Sequence, residues 1–344
     1  MPSYALLLKA NTNRVYGEAA FALAAAELAS FAGALGGGLD DVQREPIGGV
    51  DYLRAEAPEP LDPAQVAIVG NLSSLHALYE VDRDLLRPVP APPLAATDDD
   101  ITTIQRYSGK TNEAFTHLLV NVALAQTPDG FARLRAGERL GLLDPACGRG
   151  TSLNRAIVYG MDACGIELDQ RDVEAYTTFV LTWMKDKRLK HHVEQAKLRK
   201  GRDMPAHRIT VTYGPTKDRS SHRVVDIIHD DTVGARTHLK VRTMDLLVCD
   251  LPYGVQHGSQ PRGGRLDRGP AELLHVALPV WFELLRPGSG AVLAWNRNTL
   301  PRSRLVDLVT ASGFELRRPA DDEAFLHRVD RAILRDVLVA RRPV

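Results

Sequence analysis

Short apolar segments alternate with longer helical patterns from residue 140 to the C-terminus, and this alternation limits the fold more than any other feature. Apolar runs of four to eight residues are typical of buried strands, whereas spacings of three and four residues indicate helices. Their alternation predicts an α/β domain with a mostly parallel sheet. The predicted strands are 140–144, 163–167, 224–229, 245–249, 290–295, 314–318 and 336–340, and the predicted helices are 152–159, 171–185, 270–285 and 302–311.

The first 88 residues are organised differently and predict a small α+β domain. Segment 87–100 contains four prolines and ends in three consecutive aspartates, which is typical of a linker. We therefore expect a first domain at 1–88, a linker at 89–100 and a second domain at 101–344 that opens with a helix over 112–126. In the first domain the predicted strands are 4–9, 50–57 and 66–71, and the predicted helices are 17–32 and 73–79.

Charge is unevenly distributed, although the chain as a whole carries 43 basic and 43 acidic side chains. A zero balance argues against a protein coated in nucleic-acid-binding charge. Residues 1–100 hold 6 basic and 15 acidic side chains, whereas residues 181–223 hold 12 basic and 4 acidic ones. The basic segment 181–223 predicts a phosphate-contacting surface. The alternative is a solvated helix and loop whose charge has no partner.

The cysteines and the apolar segments indicate in which cellular compartment the protein is expected. Cys147, Cys164 and Cys249 are too few and too scattered for a disulfide framework or a zinc site, so no metal is expected. The Ala-rich stretch 19–35 is interrupted by Glu27 and Ser30, which favours a helix of a water-soluble domain over a membrane span. We therefore expect a cytoplasmic protein with no membrane partner.

A glycine-rich turn joins the predicted strand 140–144 to the following helix. Gly148 and Gly150 lack a Cβ, so the backbone can approach a ligand closely, and the helix N-terminus points its amides at that ligand. Asp144 ends the strand and can face a cation. Glu167 ends the next strand and can accept both ribose hydroxyls of a nucleoside. Neighbouring residues of the turn, Cys147 and Thr151, are also expected beside the ligand.

Two cofactors fit this pattern, a nicotinamide dinucleotide and S-adenosylmethionine (SAM). The dinucleotide fingerprint requires a third glycine, in the order Gly-x-Gly-x-x-Gly. Leu153 occupies that position, so the pattern favours SAM.

The tetrapeptide Asp250-Leu251-Pro252-Tyr253 follows the predicted strand 245–249 and is expected beside the glycine turn, because ligands bind off the carboxyl ends of parallel strands. The tetrapeptide resembles a motif of amino-methyltransferases, which implies an exocyclic base amine as the substrate. Such an amine is a poor nucleophile because its lone pair is delocalised into the ring. The Asp250 carboxylate and the Leu251 carbonyl can accept its two hydrogens. Pro252 restricts residue 251 to extended geometry. Tyr253 can stack on the base, which contributes about 1–3 kcal/mol.

These motifs carry a family resemblance. Asp144-Pro-Ala-Cys-Gly-Arg-Gly150 resembles motif I of class I SAM-dependent methyltransferases. Asp250-Leu-Pro-Tyr253 resembles the (Asp/Asn)-Pro-Pro-Tyr motif of amino-methyltransferases, with Leu251 in place of the first proline. Together with segment 106–117 they look like the RNA methylases that include the THUMP-linked tRNA guanosine N2-methyltransferases. The resemblance covers about residues 101–344, and the N-terminal residues match only in outline.

The resemblance implies a Rossmann-like domain whose mostly parallel sheet has seven strands, one of them antiparallel. It implies SAM as the cofactor and guanosine N2 of tRNA as the target. Asp230 or Asp231 is then expected to accept a hydrogen bond from the cofactor's adenine amine, and Thr111 and Asn112 to contact its methionine end. RNA is expected to bind segment 181–223 and also the N-terminal domain, with an accessory protein subunit as a further partner.

Three other functions remain open at this point. A DNA adenine-N6 or cytosine-N4 methyltransferase would share the tetrapeptide. A non-catalytic RNA-binding module could descend from a methyltransferase, although the intact Asp250, Tyr253 and Glu167 argue against it. A protein-glutamine methyltransferase would favour Asn at position 250.

Overall fold

The computed structural model of the chain describes residues 1–10, 14–198, 206–214, 221–251, 269–318 and 321–344. The helices are α1 (Arg14–Ser30), α2 (Pro63–Val69), α3 (Ile101–Ile104), α4 (Glu113–Gln126), α5 (Gly130–Arg135), α6 (Thr151–Val158), α7 (Gln170–Asp186), α8 (Pro270–Leu284) and α9 (Arg302–Ala311), with a 3-10 helix at Thr232–Thr237. The strands are β1 (Ser3–Leu8), β2 (Asp40–Ile47), β3 (Val50–Glu56), β4 (Leu75–Asp82), β5 (Leu85–Val89), β6 (Gly141–Asp144), β7 (Asp162–Glu167), β8 (His191–Leu198), β9 (Ala206–Tyr213), β10 (Arg223–His229), β11 (Met244–Asp250), β12 (Leu285–Asn296), β13 (Glu315–Arg317), β14 (His327–Arg328) and β15 (Leu334–Arg341).

The N-terminal sheet has the order β2-β3-β1-β4-β5, and neighbouring strands are antiparallel. Its apolar face packs against α1 and α2, because Leu6 and Leu53 of the sheet share a core with Leu28 of α1 and Ile68 of α2. The Ala-rich segment is thus a helix that covers a sheet. Within the described residues, no helix is long and apolar enough to cross a membrane.

Two predicted elements of the N-terminal domain are wrong. Segment 66–71 is not a strand, since helix α2 occupies 63–69. Asp62 caps this helix, Gln65 completes a capping box and Pro63 occupies the first turn. This start signal outweighs the β-branched residues that follow it. Segment 73–79 is not a helix, because residues 75–82 form β4, which pairs with β1 and β5.

The second sheet contains ten strands in the order β13-β15-β12-β11-β6-β7-β10-β9-β8, with β14 paired to β15. Strands β12, β11, β6, β7 and β10 are parallel neighbours, and β15 runs antiparallel to both β12 and β13. The expected number of seven is therefore wrong for the complete sheet. The additional strands are the hairpin β8–β9 and the two-residue β14.

The basic segment 181–223 contains that hairpin, so residues 191–198 and 206–213 are strands and not part of a solvated helix and loop. Strands β8 and β9 pair antiparallel and extend the sheet beyond β10. Two basic stretches of this segment, 199–205 and 215–220, lie outside the described residues. Strand β8 is mostly polar and gives little signal, whereas Ile209, Val211 and Tyr213 of β9 alternate with polar residues, a strand signal that the prediction missed.

Helices cover both faces of the second sheet. Leu246 and Val248 of β11 share one core with α4, α6 and α7, whereas Leu247 and Cys249 share the other with α8 and α9. This alternation is what a strand with two buried faces requires. The first of these cores continues into the core of the N-terminal domain without interruption.

A buried polar network joins the two parts of the chain. The Glu27 carboxylate of α1 accepts hydrogen bonds from the Ser73 amide at 3.0 Å and the Asn121 side chain of α4 at 2.7 Å. The Asn71 side-chain Nδ2 donates to the Tyr159 hydroxyl at 2.7 Å. Buried polar groups of this kind tolerate little displacement, because each unmet partner costs about 1–3 kcal/mol. The network therefore holds the N-terminal sheet in one position against α4 and α6.

Candidate active site

Four acidic residues meet at one edge of the second sheet. Asp144, Glu167 and Asp250 end the parallel strands β6, β7 and β11, and Asp230 follows β10. Parallel neighbours end on the same edge, so the fold alone brings these side chains together. The sequence motifs at 144–150 and 250–251 thus lie side by side in the structure.

The glycine turn between β6 and α6 has the backbone that the sequence predicts. Gly148 and Gly150 have φ values of +51° and +74°, in the left-handed region. A Cβ at Gly150 would overlap the Tyr176 ring of α7, whereas a Cβ at Gly148 would enter open space. The turn is therefore packed against α7 at Gly150 and open to a ligand at Gly148. Thr151 begins α6 next to this opening.

Cys147 lies in the same turn and packs inward. Its side chain is buried, and a Cβ on Gly165 of β7 would lie only 2.6 Å from its sulfur. Burial raises the pKa of the thiol well above its ordinary value. A neutral, enclosed thiol is a packing group and no nucleophile.

Glu167 holds the turn from the side. Its Oε2 accepts a hydrogen bond from the Gly148 amide at 2.8 Å, and its Oε1 accepts one from the Asp169 amide at 2.8 Å. Each carboxylate oxygen has two lone pairs, so each retains acceptor capacity for a hydroxyl. Burial raises the pKa of Glu167, while the two amides favour the ionised form.

Asp144 lies deeper and is 4% exposed. The Ser152 hydroxyl donates to its Oδ2, and the Ala146 amide donates to its Oδ1 at 3.2 Å. Burial, together with a smaller contribution from the nearby charges of Asp250 and Glu167, raises the pKa of Asp144 to about 7. Carboxylates that repel one another in this way create a strong preference for a cationic ligand.

Asp250 is held by two residues from distant parts of the chain. The Thr111 hydroxyl donates to its Oδ2 at 2.6 Å, and the Arg335 guanidinium lies 3.6 Å from the same oxygen. Arg335 belongs to β15, is 4% exposed and lies 4.7 Å from the centre of the Phe115 ring. The structure thus places Thr111 on the predicted catalytic carboxylate.

Arg335 was not found from the sequence. It lies 85 positions after Asp250, and the antiparallel pairing of β15 with β12 carries it into the site. The available signal was the charged pair Arg335-Asp336 directly before the apolar run 337–340. Tyr107 was also missed as an individual residue: its ring lies 4.8 Å beneath the Arg149 guanidinium, which pairs with Asp172 at 2.8 Å.

The remaining predicted residues are distributed as follows. The Asn112 side-chain oxygen caps α4 by accepting from the Ala114 amide at 2.9 Å, so this oxygen serves the helix. Asp230 is buried against His238, and the Asp231 carboxylate caps the 3-10 helix. Leu251 is buried, and its amide donates to the Ala294 carbonyl at 2.8 Å. Pro252 and Tyr253 lie outside the described residues.

The site can hold SAM. Glu167 offers acceptors for ribose hydroxyls, the open space above Gly148 admits a ligand, and Asp144 with its acidic neighbours suits the positive sulfonium and ammonium groups. Asp230 and Asp231 follow β10 next to Glu167, since the Asp230 amide donates to the Glu167 carbonyl at 3.1 Å. Among the described residues, no group of three or more His, Cys, Asp or Glu could bind a metal ion.

Comparison with known proteins concerns the fold. No protein-family model and no curated protein matches the chain. Among solved structures, TrmN from Thermus thermophilus is 15% identical over 75% of this chain, with a TM-score of 0.41. The chain spans 56% of that protein.

Two further structures are SAM-dependent methyltransferases. A TehB-like enzyme from Corynebacterium glutamicum is 14% identical over 62% of this chain and 86% of its own, with a TM-score of 0.35. An enzyme from Methanosarcina mazei is 14% identical over 60% of this chain and 93% of its own, with a TM-score of 0.36. Similarity at this level carries no information about the substrate.

Proposed function

We propose that the chain is a SAM-dependent methyltransferase that methylates an exocyclic amine of an RNA base, with guanosine N2 of tRNA as its target. The observation that carries this proposal is Asp250, a carboxylate at the end of β11 that Thr111 and Arg335 hold beside the glycine turn. A carboxylate in this position can accept a hydrogen from an amine and orient its lone pair.

The chain's own residues have separate tasks in this reaction. Bound SAM supplies a methyl group on a sulfonium centre. Glu167 and the Gly148 turn hold the nucleoside part, and the negative charge of Asp144 attracts the cationic part. Asp250 accepts one N–H of the base amine, and the family resemblance assigns the second N–H to the carbonyl of Leu251. Good alignment of two reactants contributes about 7–11 kcal/mol to such a step.

RNA binding is assigned to the basic segment 181–223. A groove of about 520 Å³ lies between α7 and the hairpin β8–β9, and it is lined by Lys197, His207 and Arg208. Arg208 is already paired with Asp226, so Lys197 is the cation of this groove without an ion pair among the described residues. Replacement of Lys197, Arg199, Lys200 and Arg202 by neutral residues is expected to flatten the salt dependence of RNA binding. If the salt dependence of RNA binding stayed unchanged, the basic segment would not be the RNA-binding surface.

The reaction is tested with labelled SAM, unmodified tRNA and duplex DNA in parallel, followed by nucleoside analysis. The expected product is N2-methylguanosine from tRNA, and Asp250→Ala is expected to abolish it. Asp172→Asn is the matched control, because it removes a carboxylate from the rim of the site without touching Asp250. Label in DNA would refute the RNA substrate, and equal activity of Asp250→Ala and wild type would refute the catalytic carboxylate.

A further inference from the structure

A second cavity lies between the N-terminal sheet and the helices α4 and α6. Its volume is about 1000 Å³, and segment 70–79 forms one wall while His117 of α4 and Arg155 of α6 form the other. Asp250, Glu167 and the glycine turn do not line it. Volumes of about 300–1,000 Å³ are typical of small-molecule sites, which occur preferentially between domains.

Arg155 is the unusual residue of this cavity. It is 6% exposed, and its guanidinium lies 5.6 Å from the centre of the Tyr159 ring. Its Nε is buried without a hydrogen-bond partner, and no ion pair joins Arg155 to any residue in the described ranges. Burial lowers the pKa of this guanidinium, which remains charged at neutral pH. Arginine is almost never buried unless it is paired.

The neighbouring acidic residues do not supply the missing partner. Glu27 accepts its hydrogen bonds from Ser73 and Asn121, and Glu113 lies 3.8 Å from Lys110. These two carboxylates and that of Asp99, which also lines the cavity and has the largest effect of the three, act on Arg155 only through space. An unpaired buried charge lowers the stability of a fold. A bound anion would pair with the Arg155 guanidinium and remove this penalty.

The rest of the lining fits a ligand with both polar and apolar parts. The Ser74 hydroxyl is buried without a partner, and Lys9 adds a cation at the exposed rim. Leu72, Leu75 and Tyr79 provide apolar and aromatic surface. A guanidinium matches phosphate geometry with two parallel hydrogen bonds, and an aromatic or aliphatic wall accepts a planar base.

We propose that this cavity is a nucleotide-binding site in which Arg155 binds the phosphate. The ligand is a nucleotide, either free or as one unit of an RNA strand. The site is separate from the methyl-transfer centre, and the inference stands whether or not the proposed function is correct. It assigns to Arg155 a role that no other contact in the described structure explains.

The test uses the full chain saturated with S-adenosylhomocysteine, so that a nucleotide cannot report binding at the cofactor turn. The probes are 5′-CMP, cytidine without the phosphate, and a short single-stranded RNA, with binding followed by calorimetry and thermal shift. We expect 5′-CMP to bind and to raise the melting temperature, and cytidine to bind at least about tenfold more weakly. Equal affinity of 5′-CMP and cytidine would overturn the proposal, and so would no binding of 5′-CMP.

Arg155→Met separates a ligand role from a structural one. Met keeps an unbranched side chain that replaces the apolar stem of Arg155 and removes an unpaired buried charge, so the melting temperature of the variant without nucleotide is expected to equal or exceed that of wild type. Its affinity for 5′-CMP is expected to fall by about tenfold or more. A destabilised variant with unchanged 5′-CMP affinity would overturn the proposal. Competition between the RNA and 5′-CMP would assign the cavity to an RNA nucleotide, and its absence to a free one.

Discussion

Glu167→Gln tests whether the acid at the end of β7 serves the cofactor or only the turn. The substitution keeps the size of the side chain and replaces one carboxylate oxygen by an NH₂ group. In wild type, each oxygen accepts a backbone amide at 2.8 Å, from Gly148 and from Asp169. The NH₂ group must therefore face one of these two donors, whichever way the amide is turned.

Two effects follow, and they can be measured separately. One backbone amide loses its acceptor, which lowers the free energy of unfolding by about 1–3 kcal/mol. One ribose hydroxyl loses a charged acceptor, which is worth about 1.5–3 kcal/mol and corresponds to a Kd increase of roughly 10- to 150-fold for S-adenosylhomocysteine. Urea unfolding measures the first effect, and calorimetric titration of the cofactor product measures the second.

Asp172→Asn is the matched control, since it removes a negative charge near the same turn but no contact to Gly148 or Asp169. We expect it to change the affinity for S-adenosylhomocysteine by less than about threefold, because Asp172 is partly exposed and its charge is screened. If Glu167→Gln lost stability but bound the cofactor product like wild type, Glu167 would be a structural residue and the ribose assignment would be wrong.

Three further predictions concern the same edge of the sheet. Because burial raises the pKa of Asp144 to about 7, the affinity for SAM should rise with pH up to about pH 7 and then level off. Calorimetry at several pH values measures the affinity, and Asp144→Asn should show no such rise. Gly150→Ala should lower the free energy of unfolding by about 2–5 kcal/mol, because the new Cβ overlaps the Tyr176 ring and φ is positive. Gly148→Ala, where φ is also positive but the space is open, should lower it by only about 1–2 kcal/mol. Equal losses in urea unfolding would contradict the packing argument. Thr111→Val removes the donor to Asp250 and should reduce kcat about tenfold or more, while a normal kcat would show that the contact is dispensable.

Much of the second sheet was predictable because buried parallel strands have a simple pattern. Each of β6, β7, β10 and β11 is a short apolar run that ends in or next to an acidic residue, so both the strand and its functional end are visible in the sequence. The helix predicted over 112–126 was visible from its apolar residues, and in the structure Asn112 caps it. These features depend only on local chemistry.

The errors occur where tertiary contacts or turn chemistry outweigh local preference. Residues 66–69 contain three β-branched residues and are nevertheless helical, because the Asp62 cap starts a helix. Strand β8 of the hairpin is largely polar and is held in the sheet by pairing with β9, which in turn pairs with β10. Arg335 could not be assigned because its role depends on a strand pairing that returns it to Asp250 from a distant part of the chain.

The complete burial of helix α4 bears on whether the N-terminal and C-terminal parts of the chain can fold separately. Every residue from 115 to 124 is buried, with the sheet strands β11 and β12 on one side and α1 on another. A helix without a solvent-facing side depends on all of its neighbours, so we expect residues 1–88 and 101–344 to unfold together despite the proline-rich segment between them. Thr111 lies two residues before this helix and contacts Asp250. We therefore expect the packing of α1 on α4 to help hold Thr111, and through it Asp250, in position.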